Sequence, residues 1–366
     1  MITFIASIIS LILAASCFYV FLRSDLKRLL IYSSALLLLV LLNIIASLIS
    51  VSFLLASIAR SAFEAQIYTK FAIVLFRLGV VLLFIFLETV RHARYYLVKV
   101  FVVSTIFGIS MATYHHVSFE FQKICGFWER KAPSMFGVIN VVDLALSVFL
   151  LILMSISLFF TVRSSLKRIR GISKKRLVAC HYYCDEMIIL AGLTLFVFSR
   201  FLGPGVIINN VVILLSLTLI LLNLTATILK YPYFLYVGRA TLLGVMIISL
   251  ESGVLIYEEG PVSGGLFVSG AFWTIVKIME ERLRRKPYII SFIDSHVIIN
   301  YVGPIIGVYL FDNYFDELKV FSRFVSETIA EDLRRHGLIG GLFIEDDEIK
   351  QEIIQIIRRT LDPFIP

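Results

Sequence analysis

Seven long and nearly uncharged apolar runs fill the chain up to about residue 230. About 20 apolar residues in a helix cross the ~30 Å hydrocarbon core of a bilayer, and a spanning backbone must satisfy its own hydrogen bonds. Each run therefore predicts a transmembrane helix. With 59% hydrophobic and 16% charged residues, the composition excludes an ordinary soluble protein. The predicted spans are Ile2–Leu22, Leu29–Leu55, Phe71–Leu87, Tyr96–Tyr114, Phe136–Val162, Met187–Leu202 and Val206–Leu229.

The distribution of basic residues between the loops predicts the orientation of these spans. The first, third and fifth loops hold 13 Lys and Arg residues, whereas the even loops hold five. Because basic loops stay on the cytoplasmic side, we expect a multi-pass cell-membrane protein with its N-terminus outside and its C-terminal domain in the cytoplasm. The net charge of +8 then follows from membrane topology, and it does not indicate a nucleic-acid partner.

Ionisable side chains inside the predicted spans mark a candidate ligand site. Arg77 in the third span and Asp143 in the fifth each lie about two turns from the outer end, at a depth of about 10 Å, so an ion pair between them is geometrically feasible. Intramembrane charges usually face a partner or a cavity. The outer third also contains Asn140, Asn209 and Asn210, with Arg200 at the outer end of the sixth span. These six residues form the predicted ligand site, although helix packing alone also explains such polar residues.

The sequence predicts no catalytic residues, no metal site and no cofactor. Cys180, His181, Cys184, Asp185 and Glu186 are close in sequence, but helical spacing turns His181 away from the face shared by the two cysteines. A pair of cytosolic thiols is therefore the simpler interpretation. Phosphate-binding loops, zinc-protease motifs and nucleophile elbows do not occur in the sequence.

Residues 238–366 differ from the rest of the chain and predict a separate α+β domain. Short β-branched runs and glycine turns replace the continuous apolar runs, and acidic residues outnumber basic ones by 18 to 13. The element order ββαβββαα favours a five-stranded antiparallel sheet with helices on one face. The predicted strands are Leu242–Leu250, Val254–Glu258, Tyr288–Asp294, His296–Val302 and Ile305–Phe311. The predicted helices are Val262–Leu283, one that starts at the N-caps Asp312 and Asn313 and ends at Arg335, and Asp347–Thr360.

Two parts of the chain resemble known modules. The phrases Gly244–Ile248 and Ser252–Tyr257 resemble the opening hairpin of roadblock/longin-like domains. The membrane part is similar to the seven-helix N-terminal sensor region of certain histidine kinases and related receptors, in span number, orientation and exit through Tyr231–Leu235. A PAS-like domain is the near alternative, but the long helices after the second and fifth strands favour the longin-like one. The resemblance implies a dimerisation or scaffolding surface, often for a small GTPase, and no active site.

We therefore expect a seven-helix transmembrane domain, residues 1–237, joined to a cytosolic longin-like domain, residues 238–366. The function expected is that of a non-enzymatic receptor or sensor in the lipid bilayer. It would pass a signal to a cytosolic protein partner, or to a second copy of the chain through the C-terminal domain. The alternatives are a small membrane transporter or membrane enzyme that uses the Arg77 and Asp143 site, and a structural tether.

Overall fold

The structure is a computed structural model, and it describes the chain in segments. These are residues 2–24, 26, 33–91, 101, 104–105, 108–109, 121–130, 138–169, 172–201, 206–237, 239–250, 253–260, 274–275, 277–282, 288–291, 295–336 and 347–364. They form two compact units. The first is helical and drawn from residues up to Leu229, and the second holds Lys230–Pro366.

The first three helices of the helical unit are long and apolar enough to cross a membrane. They are α1 (Ile2–Arg23), α2 (Ser34–Ile58) and α3 (Ala62–Arg91), and they confirm that the first three predicted spans are membrane-length helices. The third begins nine residues before the predicted Phe71. The reason is a local cap, because Ser61 Oγ accepts the Glu64 N–H at 3.2 Å while Glu64 Oε2 accepts the Arg60 N–H at 2.9 Å.

Three further long helices follow in the chain: α4 (Val138–Arg168), α5 (Ile172–Phe201) and α6 (Val206–Lys230). Within the described residues, the apolar stretch Leu214–Lys230 of α6 is shorter than a full span. The predicted fourth span, Tyr96–Tyr114, lies mostly outside the described residues. The total of seven spans therefore stays a prediction.

Small and hydroxyl side chains lie at the contacts between four of these helices. Ser10 of α1 lies 2.6 Å from Thr218 of α6, and Ser50 of α2 donates to Ser10 at 2.8 Å. Gly79 of α3 brings the backbone close, because a Cβ there would lie 3.0 Å from the Leu217 side chain. Such small and polar contacts are the usual way for helices to associate where the solvent is apolar.

A hairpin that the sequence analysis did not predict lies in the loop before α4. Its strands are β1 (Phe121–Ile124) and β2 (Phe127–Arg130). Positive φ angles at Cys125 (49°) and Gly126 (83°) are those of a two-residue hairpin turn with both central residues left-handed. Trp128 Nε1 donates to the Ala59 carbonyl at 2.8 Å, which joins the hairpin to the end of α2.

The second unit contains the five-stranded antiparallel sheet that the sequence predicts. Its strands are β3 (Leu242–Ser249), β4 (Leu255–Glu259), β5 (Ile289–Ser291), β6 (His296–Val302) and β7 (Ile305–Phe311), in the order β4-β3-β7-β6-β5. Most boundaries agree with the prediction within one residue. For β5, the described strand begins one residue after the predicted Tyr288, and residues 292–294 at the predicted end lie outside the described residues.

Both faces of the sheet are buried. On one face, Asn300 and Tyr309 form hydrogen bonds with Ser322 (3.0 Å) and Ser326 (2.9 Å) of helix α8 (Asp316–Arg335). The opposite face carries an apolar cluster of Met246, Ile248, Val297, Ile299, Ile306 and Val308. Residues 277–282 are helical, and most of the predicted helix Val262–Leu283 lies outside the described residues. The placement of all helices on one face therefore stays a prediction.

The predicted N-caps of α8 have a different role. The helix begins at Asp316 after Phe315, which makes no side-chain capping bond. Asp312 Oδ1 instead accepts the Thr241 N–H at 2.6 Å, and Asn313 donates to the Arg239 carbonyl at 3.2 Å. Both side chains therefore bind the backbone just before β3, and they do not cap α8. The last helix, α9 (Asp347–Leu361), agrees with the prediction within one residue.

Candidate functional site

The predicted outer site is described only at Arg77. Its side chain lies on α3, is 4% exposed and has an interaction partner. The backbones of Asn140 and Asp143 lie on α4, that of Arg200 on α5 and those of Asn209 and Asn210 on α6, but their side chains lie outside the described residues. The ion pair between Arg77 and Asp143 therefore stays a prediction.

Separate polar contacts join neighbouring helices of this unit in pairs. We call the residues that make them the polar cluster. They are Glu88 on α3, Ser155 and Ser157 on α4, His181, Asp185 and Glu186 on α5, and Asn223 on α6.

The contact between α3 and α4 centres on Glu88. This carboxylate is 6% exposed and accepts a hydrogen bond from Ser157 Oγ at 3.2 Å. Arg91, one turn further along α3, places a guanidinium nitrogen 3.8 Å from the same oxygen. Burying a carboxylate without hydrogen-bond or charged partners costs free energy. The contacts with Ser157 and Arg91 offset this cost and explain why Glu88 can lie buried on α3.

The contact between α4 and α5 is made by Glu186. Ser155 Oγ donates a short hydrogen bond to its Oε1. The other oxygen, Oε2, is buried and has no hydrogen-bond partner among the described residues. One of the two Glu186 carboxylate oxygens is therefore able to accept a further hydrogen bond.

The contact between α5 and α6 pairs His181 with Asn223. Asn223 Nδ2 donates to the His181 backbone carbonyl at 2.8 Å, and its Oδ1 lies 2.5 Å from His181 Nδ1. Since the amide oxygen can only accept, the geometry assigns the proton to Nδ1. Asp185, which is 1% exposed, lies beside Asn223, yet neither of its oxygens has a regular hydrogen bond within the described part of the chain.

No protein-family model matches this chain, and neither a curated protein nor a solved structure matches it. The polar cluster therefore has to be interpreted from its own chemistry.

The cluster contains three carboxylates, and a guanidinium nitrogen of Arg91 lies near one of them, Glu88. Glu186 lies about 15 Å along α5 from the basic residues Lys174–Arg176 at the start of that helix, and it directly precedes the apolar residues that begin at Met187. Among the described residues, no three His, Cys, Asp or Glu side chains converge on a point that could hold a metal ion. The described contacts join α3 to α4, α4 to α5 and α5 to α6 through polar side chains.

The sequence analysis missed this cluster because of where it placed the span ends. Glu88 follows directly after the predicted third span, and Asp185 and Glu186 directly precede the predicted sixth span. Extending those helices by one turn places all three acids on helix faces within the unit. An acidic residue within one turn of a span end, together with a hydroxyl or amide side chain in a neighbouring span, is the sequence pattern that would have indicated these contacts.

Proposed function

We propose that this protein is a membrane receptor or sensor, without enzymatic activity, that passes a change in its helical unit to its C-terminal domain. The C-terminal domain then acts on a cytosolic protein partner or on a second copy of the chain. The proposed membrane location is supported by the three long apolar helices. The cytoplasmic side of the C-terminal domain is proposed from the loop charges.

The observation that carries this proposal is the way the chain continues after α6. That helix ends at Lys230, and the short helix α7 (Phe234–Val237) begins after three intervening residues. Tyr236 of α7 is 2% exposed and lies against Phe311 and Phe321, with ring centroids 6.0 and 4.8 Å away. The chain thus passes within a few residues from the end of α6 to a side chain in the core of the second unit, and this short connection supports the proposed coupling.

We also propose that the second unit is a roadblock/longin-like domain. The order β4-β3-β7-β6-β5 places the first and fifth strands side by side at the centre. The long helix α8 after the fifth strand supports the longin-like assignment over the PAS-like one. From the resemblance, the partner is a small GTPase or another copy of the same domain.

Hydrogen exchange of the full-length protein in lipid nanodiscs tests the coupling. Replacing Asn223 by Ala removes both bonds to His181, so we expect altered deuterium uptake in α6 and also in residues 234–240 of the second unit. Leu219→Ala is the matched control, since Leu219 is on the same helix and 36% exposed. If Asn223→Ala changes α5 and α6 but leaves residues 234–240 as in the control, the two units are uncoupled and the receptor proposal is wrong.

A second candidate is a small membrane transporter or membrane enzyme. It was expected to use Arg77 and Asp143, and the polar cluster adds Glu88, Asp185 and Glu186 as further groups able to carry protons. Proton or cation flux into proteoliposomes tests it, with Glu88→Gln as the variant. Flux above that of empty liposomes, abolished by Glu88→Gln, would favour the transporter; no flux would leave the receptor as the better proposal.

A further inference from the structure

A cavity of about 480 Å³ lies between the facing ends of α4 and α5. The two helices are joined by residues 169–171, so they run antiparallel on either side of it. Three basic side chains line the cavity: Arg163 and Lys167 from α4 and Lys175 from α5. All three lie close to the connection between the helices, so they share one end of the cavity.

Apart from Glu186, the rest of the cavity wall is made of apolar and aromatic side chains. Phe159 and Val162 line it from α4, and Tyr182 and Tyr183 line it from α5. Phe159 and Tyr183 are 52% and 61% exposed, which means that the wall continues onto the outer surface of the helical unit. A cavity with a cationic end and an apolar side open to the surface is complementary to a lipid that has an anionic headgroup and an acyl chain.

Negative charge does not compensate the basic end. Among the described residues, Arg163, Lys167 and Lys175 form no ion pair with a carboxylate. The acidic residue that lines the cavity is Glu186, and it is held by Ser155. Ser155 precedes Arg163 by eight residues on α4, which corresponds to about 12 Å along the helix. Glu186 therefore lies at the opposite end of the cavity.

We propose that this cavity binds an anionic phospholipid of the surrounding membrane. Arg163, Lys167 and Lys175 hold its phosphate group, and the apolar wall between Phe159 and Tyr183 holds part of an acyl chain. Basic pockets between transmembrane helices on the cytoplasmic side are suited to such headgroups, and the positive-inside rule assigns this end to that side. A free phosphate ion offers the same headgroup chemistry but makes no use of the apolar wall.

Native mass spectrometry of the delipidated full-length protein in detergent tests the proposal. The probes are dioleoyl-phosphatidylglycerol, dioleoyl-phosphatidylcholine, dihexanoyl-phosphatidylglycerol and inorganic phosphate. We expect the long-chain anionic lipid to bind most tightly. Lys167→Gln combined with Lys175→Gln should weaken its binding about 30-fold, which equals about 2 kcal/mol at 1.4 kcal/mol per factor of ten, the loss expected for two interfacial basic charges.

Arg176→Gln is the matched control, because Arg176 is an exposed basic residue beside Lys175 that does not line the cavity. An equal loss of binding in this control would overturn the proposal, since it would show general attraction to a basic surface. Equal affinity for phosphatidylcholine, or displacement of the lipid by millimolar inorganic phosphate, would also overturn it. Binding of the short-chain lipid as tightly as the long-chain one would contradict the role of the apolar wall. Size-exclusion profiles confirm that each variant is folded.

Discussion

Replacing Tyr236 by Ala should strongly destabilise the second unit. The ring of Tyr236 lies 4.8 Å from that of Phe321 on α8 and 6.0 Å from that of Phe311 on β7. Its hydroxyl donates to the backbone carbonyl of Phe364, after α9. One side chain thus connects α7 with the sheet and with both C-terminal helices, and its burial raises its pKa well above the usual value.

The magnitude follows from the cavity that the substitution leaves. Truncating a buried aromatic side chain to Ala costs about 3–5 kcal/mol, out of the roughly 5–15 kcal/mol that stabilises a typical domain. At about 4 °C per kcal/mol for a domain of this size, the melting temperature should fall by about 12–20 °C. Tyr236→Phe keeps the ring and loses one hydrogen bond, so it should cost only about 1 kcal/mol.

The assay is thermal unfolding of the segment Lys230–Pro366, followed by circular dichroism. We expect this segment to fold alone because it contains the five-stranded sheet together with α7, α8 and α9, and because domains with their own core usually do so. Tyr288→Ala is the control, since Tyr288 is 50% exposed and should cost less than about 1 kcal/mol. A loss in Tyr236→Ala no larger than in this control would refute the reasoning that α7 is anchored in the core.

Three further predictions concern the same unit. Gly307→Ala should cost about 1–3 kcal/mol, because an added Cβ would overlap Ser326 Oγ; Ser326→Ala in the same chain should restore part of the melting temperature, and no recovery would contradict this explanation. Arg239→Met should lower the free energy of unfolding by about 2 kcal/mol, because it breaks the 2.8 Å ion pair with Glu317. A double-mutant cycle with Glu317→Gln should give a coupling energy of about 1 kcal/mol. Additive losses in the two single variants would argue against the pair. Burial raises the pKa of Tyr309 above its usual value of 10.0, so the contribution of its neutral hydroxyl to stability is complete below pH 10 and is lost as the pH rises further. Between pH 8 and 11.5, the melting temperature of Tyr309→Phe should therefore fall less steeply than that of the unmodified segment. Equal slopes would contradict this assignment.

Local sequence patterns predicted most of the elements of the second unit. Both ends of β6 and of β7 were predicted correctly because each strand is a run rich in Val, Ile and Tyr, and the Gly303-Pro304 turn separates the two runs. The start of α8 was placed too early for a long-range reason. Asp312 is bound to the backbone of Thr241, about 70 residues earlier in the chain, and no local pattern indicates that a good N-cap is already used elsewhere.

The helical unit was harder to predict, because an apolar run indicates a helix but does not indicate which face of that helix packs against a neighbouring helix. The hairpin turn at Cys125 and Gly126 was missed since Cys is unusual at a left-handed position, where Asn or Asp is the common signal. The polar cluster was missed because the neighbours of Glu88 and Glu186 come from α4, and the register between helices is set by packing.

The energies of the two regions favour a direction for the proposed coupling. Hydrogen bonds between membrane helices, such as those of Asn223 and Ser157, contribute about 1 kcal/mol or less each, whereas the anchor at Tyr236 is worth several times more. A ligand or a protonation event that supplies 1–3 kcal/mol, the usual range of coupling free energies, can therefore rearrange the polar cluster without releasing α7 from the second unit. In the proposed receptor, a rearrangement of the polar cluster would therefore act on the second unit through the short connection between Lys230 and Phe234, with α7 still anchored.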